Sequence, residues 1–279
     1  SIMTRILGNK LEQELLGKGK YAKIFQTVKE NPDLSAEMRE SELIVYYKKG
    51  KILSLTAKRA TILADGYYKS EKGTEFNNTK LSLLRRLESK PSSYFDLAMQ
   101  LMDKHGDKKE FTIQQNIANQ NITNGDYIVL DMEYQYKQEN LQKEDRVVDK
   151  TRIDLVAVEK GTNDIVLFEL KQGCGALEEA SGLEDHINKT YKLINDTKAN
   201  KDLRDDVLAI WEQKFRLGLI SIPAPKAFGE MKMAFIFAYY AQREKEYYDN
   251  MIAKLKQQGV DVPDTIYFDL TPNFQLIKP

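Results

Sequence analysis

Apolar residues recur at helical spacing from Leu11 to Val28 (Leu11, Leu15, Leu16, Ile24, Phe25, Val28), interrupted by Gly17 and Gly19 and stopped at Asn31-Pro32. This pattern predicts a broken helix. Two β-rich runs, Glu42 to Lys48 and Lys51 to Thr56, flank Lys49-Gly50 and predict a hairpin, with Ala60 to Tyr68 as a third strand. Asn78-Thr79 can cap a helix that runs through Glu88, Pro91 can start another that reaches about Lys104, and Lys108 to Asn119 has helical composition.

The pattern changes after Asn124-Gly125. Tyr127 to Tyr136, Arg152 to Val158 and Asp164 to Lys171 read as three consecutive strands, a β-meander. A long helical stretch follows from about Leu177 to Phe215, then an apolar strand from Met233 to Tyr240, a helix from Gln242 to Gln258 and a last strand from Thr265 to Leu270. The order predicts an α/β fold: a mixed β-sheet core flanked by helices, preceded by an N-terminal α/β region. The division is drawn as residues 1–105, an accessory region, and 106–279, the core.

Three charges interrupt this apolar plan. Strand alternation puts Arg152, Asp154, Val156 and Val158 on one face, so a carboxylate stands in an otherwise apolar run. The run from Ile165 is apolar until Glu169 and Lys171, which share a face roughly 7 Å apart at two strand rises. Buried charge costs several kcal/mol unless it is paired, binds metal or lies at an open strand end. A structural ion pair between Lys171 and a carboxylate satisfies that rule as well as a catalytic site does.

Composition narrows the classes. The chain has 279 residues, 42% hydrophobic and 30% charged, which is globular and large enough for its own core. Its one cysteine, Cys174, cannot form an internal disulfide, and no secretory signal is visible at the start, so the expected location is the cytoplasm. No apolar run approaches the roughly 20 residues of a membrane helix. Lys+Arg and Asp+Glu both number 42, so attraction to a polyanion must come from a local patch. With two histidines and one cysteine, Cys/His zinc sites are excluded and cysteine-protease chemistry is disfavoured. Gly17-Lys-Gly-Lys20 lacks the phosphate-loop spacing, and no Gly-x-Gly-x-x-Gly follows a strand.

Ile153-Asp154 in one strand, then Glu169-Leu170-Lys171 at the end of the next after a turn at Lys160 to Asp164, resembles the signature of the PD-(D/E)XK nuclease superfamily. Ile153 stands where the eponymous proline would be. The resemblance spans about Lys108 to Tyr240 and implies a restriction-endonuclease-like core hydrolysing phosphodiester bonds in nucleic acid, DNA ahead of RNA, with Mg²⁺ or Mn²⁺. It assigns the metal to Asp154, Glu169 and the Leu170 carbonyl, and to Lys171 the orientation of the attacking water or stabilisation of the transition state. It leaves a homodimer open and involves no membrane.

Further candidates are Glu133, placed by its hairpin beside Asp154 as an added ligand, with Asp131 and Gln135 on the same polar face. Glu110 and Gln114 lie one helical turn apart in the preceding helix, Gln172 follows the motif lysine, and His186 heads a strip with Lys189 and Lys192. Two rival readings remain: a catalytically silent member of the same fold that binds nucleic acid or protein, and an unrelated α/β protein with a structural Lys-Glu pair.

Overall fold

A computed structural model describes residues 5–48, 50–64, 80–104, 109–136, 138, 142, 144, 146, 148, 150–172, 180–269 and 274–278. Their contacts divide the chain into two compact units, one of Met3–Gln115 with Glu212–Ser221, the other of Asn116–Trp211 with Ile222–Pro279.

In the first unit, helices α1 (Asn9–Leu15) and α2 (Ala22–Glu30) are the two halves of the broken N-terminal helix. A four-stranded antiparallel sheet follows in the order β1 (Leu34–Arg39), β2 (Glu42–Tyr47), β3 (Gly50–Thr56), β4 (Ala60–Ile62). The third expected strand is short, and its remainder from Asp65 lies outside the described residues. Helices α3 (Lys80–Ser89) and α4 (Pro91–Asp103) come next, α4 beginning at Pro91, where a missing N–H is harmless. Tyr94 donates its buried hydroxyl to the Ile52 carbonyl at 2.6 Å and so ties α4 to β3. The polar residues of β1 are buried too: Glu37 accepts from Lys214 at 3.0 Å and from Ser35 at 3.3 Å. Lys214 belongs to this unit, at the end of a helix whose earlier part belongs to the other.

The second unit is built on a five-stranded mixed sheet. Its strands lie in the order β5 (Tyr127–Tyr136), β6 (Thr151–Glu159), β7 (Ile165–Gln172), β8 (Met231–Tyr239), β9 (Asp264–Asp269). The first three strands form the antiparallel meander, and β8 and β9 add in parallel. Helix α5 (Lys109–Gln120) precedes the sheet. Helices α6 (Ala180–Asn195) and α7 (Thr197–Arg216) lie between β7 and β8, and α8 (Gln242–Gln257) between β8 and β9. Asp196 separates α6 from α7, its Oδ2 accepting the Ala199 N–H at 2.9 Å as a helix cap does.

On one sheet face Met233, Phe235 and Phe237 of β8 pack with Leu183 and Ile187 of α6 and with Tyr248 and Leu255 of α8. The Phe237 and Tyr248 rings stack at 4.3 Å, and each buried side chain of this kind contributes roughly 1.5–3 kcal/mol. On the other face the tyrosines of β5 reach α7: Tyr134 donates to Asp206 at 2.5 Å and Tyr136 to Asp202 at 2.7 Å. Burial and the adjacent Asp202 push the Tyr136 hydroxyl well above the usual range, so it stays a donor.

Helices on both faces leave the strand ends as the accessible rim. Because β7 and β8 run parallel and β6 runs against them, the end of β7 and the start of β6 share one rim.

Candidate functional site

The β6–β7 ladder stops at the pair Leu155–Phe168. One step further along that register Asp154 stands across from Glu169, and two steps beyond that Arg152 stands across from Lys171. The Asp154 carboxylate takes over where the ladder stops, its Oδ2 accepting the Leu170 N–H at 2.8 Å. In a strand a residue's N–H and C=O project to the same side, so the Leu170 carbonyl faces β6 as well, past the last backbone pair. Its side chain is fully buried on the other face.

Asp154 and Glu169 are 9% and 7% exposed, a degree of burial that carboxylates tolerate only with compensation. Lys171 supplies part of it, its Nζ lying 3.4 Å from Glu169 Oε1, as the two-residue spacing on one strand face requires. His186 arrives from α6 next to Ile187, which sits in the apolar core over this face. Its Nδ1 lies 3.5 Å from the same Glu169 oxygen. Burial first and the Lys171 charge second hold the His186 imidazole below its ordinary pKa, which keeps it neutral at neutral pH. Two carboxylates, one ammonium and one neutral imidazole thus gather at the start of β6 and the end of β7, under α6.

The donor set suits a hard cation. Among the described residues no set of three or more His, Cys, Asp and Glu side chains is arranged to hold a metal ion. A cation here would rest on two carboxylates, the Leu170 carbonyl and water, the mixed, water-rich shell that Mg²⁺ prefers.

The remaining candidates fall in several places. By register Glu133 lies across from Asp154, but its backbone adopts φ +57° and its carboxylate forks onto the Arg152 guanidinium, Nη2 to Oε1 at 2.6 Å with a closer contact to Oε2. A left-handed backbone at a non-glycine residue in mid-strand costs about 1–3 kcal/mol, and an exposed ion pair returns only about 0–1. Strain of that size marks functional sites more often than stabilising ones. The preceding bulge at Leu130, between Val129 and Asp131, shifts the register and puts Asp131 across from Val156, on the face of Asp154. Asp131 is buried, and its Oδ1 accepts the Met132 N–H at 2.9 Å.

Gln172 ends β7 in register with Ala238, half-buried at the rim. Gln114 is buried on α5 in the other unit. The Glu110 side chain and the whole of Cys174 lie outside the described residues. Lys189 pairs with Asp185 along α6 at 2.9 Å, an ordinary surface contact. Arg152 is a further residue of the site that the sequence signals only by its parity with Asp154.

Comparison of the chain with models of protein families, with curated proteins and with solved structures finds no match.

Proposed function

We propose that Asp154, Glu169 and Lys171 form the centre of a metal-dependent nuclease resembling the PD-(D/E)XK superfamily, with DNA ahead of RNA as substrate. The observation that carries this reading is the β6–β7 junction. There a buried carboxylate replaces the ladder at Leu170, and a second buried carboxylate with its lysine stands across from it. A structural ion pair alone explains Lys171 and Glu169 but gives no reason for Asp154 to end the ladder beside them.

In this reading Asp154 and Glu169 hold Mg²⁺ or Mn²⁺ together with the Leu170 carbonyl. The bound cation neutralises phosphate charge and lowers the pKa of the attacking water. Lys171, placed between the carboxylates and the rim, orients that water or stabilises the charge that develops on the phosphoryl oxygens. Neutral His186 meets Glu169 from the α6 side, its Nδ1 3.5 Å from Oε1.

The 3.4 Å contact between Lys171 and Glu169 favours, as a second reading, a catalytically silent binding module in which the lysine itself neutralises the glutamate. The two readings separate in an incubation of plasmid, linear duplex, single-stranded DNA and RNA with purified protein in Mg²⁺ or Mn²⁺. The nuclease reading predicts cleavage of at least one DNA substrate that EDTA abolishes and added metal restores. Binding without cleavage of any substrate would favour the silent module.

A further inference from the structure

We propose that Arg152 grips a backbone phosphate of the nucleic acid beside the scissile one, with Glu133 holding its guanidinium plane at the rim; this rests on the nuclease reading above. Three observations place it there. Arg152 precedes Asp154 by two residues on one strand, so both point to the same sheet face, with Arg152 nearer the rim. In the β6–β7 register Arg152 is the counterpart of Lys171, so the two carboxylates form an inner row and the two cations an outer one.

The outer cations differ in exposure. The Lys171 side chain is 15% exposed and turned to Glu169, whereas that of Arg152 is 55% exposed. The third observation is the fork onto Glu133, whose left-handed backbone swings its carboxylate to Arg152. Both Glu133 oxygens contact one guanidinium nitrogen, Nη2, which fixes one corner of a rigid five-donor plane and leaves its Nε and Nη1 edge for a second acceptor. An oriented, solvent-facing arginine matches the geometry of a phosphate diester better than a mobile one does, because less side-chain freedom is lost on binding. Phosphate contacts of this kind set position on the strand and carry no sequence preference.

The test uses the full chain in a Lys171→Ala background, so that binding is read without turnover. Fluorescein-labelled duplex and single-stranded DNA are titrated across a NaCl series, with melting temperature as the folding control. Adding Arg152→Ala should weaken binding by about tenfold on any sequence and lower the slope of log K against log salt by roughly one. The melting temperature should not change. Arg152→Lys should restore the salt slope but only part of the affinity, because the point charge returns without the fork. In the otherwise unaltered enzyme, Arg152→Ala should raise KM and leave kcat within a few-fold.

Equal affinity and equal salt slope with and without Arg152 would overturn the assignment. If the Lys171→Ala protein binds neither probe and the unaltered enzyme cleaves none, the nuclease reading falls and this inference falls with it. Cleavage by the unaltered enzyme together with an unchanged Arg152→Ala titration would remove only the phosphate grip.

Discussion

Lys171→Ala is expected to lower the cleavage rate by about 10²–10³-fold while divalent metal still binds. The prediction follows from where the ammonium sits. Its side chain is largely buried, 3.4 Å from Glu169 Oε1, on the rim side of the two carboxylates. In that dry setting a fixed positive charge acts strongly on charge that develops at a phosphate, and water that enters in its place must reorganise before it can do the same. Alanine leaves both carboxylates and the Leu170 carbonyl in position, so a calorimetric Mn²⁺ titration should still give a binding isotherm.

The same substitution removes a partner of a buried Glu169, and breaking a buried pair costs about 3–5 kcal/mol where nothing takes over. Divalent metal can take over. Lys171→Ala should therefore be less stable than wild type in EDTA and regain part of the difference in Mg²⁺. Cleavage unchanged by the substitution would point to a contaminant or another site. Loss of metal binding along with cleavage would mean that Lys171 has no role separable from the ligands.

The second large effect is on metal-linked stability. A ligand that binds only the folded state stabilises it by about 2.7 kcal/mol at 100 times Kd, which is roughly 5–10 °C in melting temperature for a unit of this size. Wild type should show that rise in Mg²⁺ or Mn²⁺, and Asp154→Asn should lose it. Asparagine is the informative choice because its amide oxygen can still accept the Leu170 N–H that Asp154 Oδ2 accepts at 2.8 Å. Strand geometry is then kept while the charge is lost. Two buried carboxylates across from each other also repel, so the metal-free variant should be as stable as wild type or more so. Equal metal response in both proteins would support the structural-pair reading.

Much of the second unit was legible because its signals are local. The Tyr127–Tyr136, Thr151–Glu159 and Ile165–Gln172 strands show as β-branched and apolar runs. Asp154, Glu169 and Lys171 stand out because charge in such a run needs a reason. What was not legible depends on contacts distant in sequence or on backbone irregularity. Strand β1 alternates Leu34, Ala36 and Met38 with Ser35, Glu37 and Arg39, and its Ala, Glu and Met favour helix. It is a strand because its backbone pairs with β2 from Leu34–Tyr47 to Arg39–Glu42, and its buried Glu37 is matched by Lys214, 177 positions away in sequence. The bulge at Leu130 and the left-handed Glu133 likewise defeat simple alternation. They turn Glu133 to Arg152, although parity alone aims it at Asp154. The break between α6 and α7 shows in the sequence as Asn195-Asp196-Thr197, poor helix formers with Asp196 as a cap three residues ahead of Ala199, but it lies between two long helix-forming runs that read as one.

We propose that two carboxylates and a main-chain carbonyl at the β6–β7 junction form a divalent-cation site. Its most direct test is diffraction from Mn²⁺-soaked crystals, with data collected where manganese scatters anomalously. One anomalous peak is expected within about 2–2.5 Å of an Asp154 carboxylate oxygen, a Glu169 carboxylate oxygen and the Leu170 carbonyl oxygen, with Lys171 swung away from Glu169. Crystals saturated with Mn²⁺ that show no peak there and keep the Lys171–Glu169 contact would rule out a cation site at this junction.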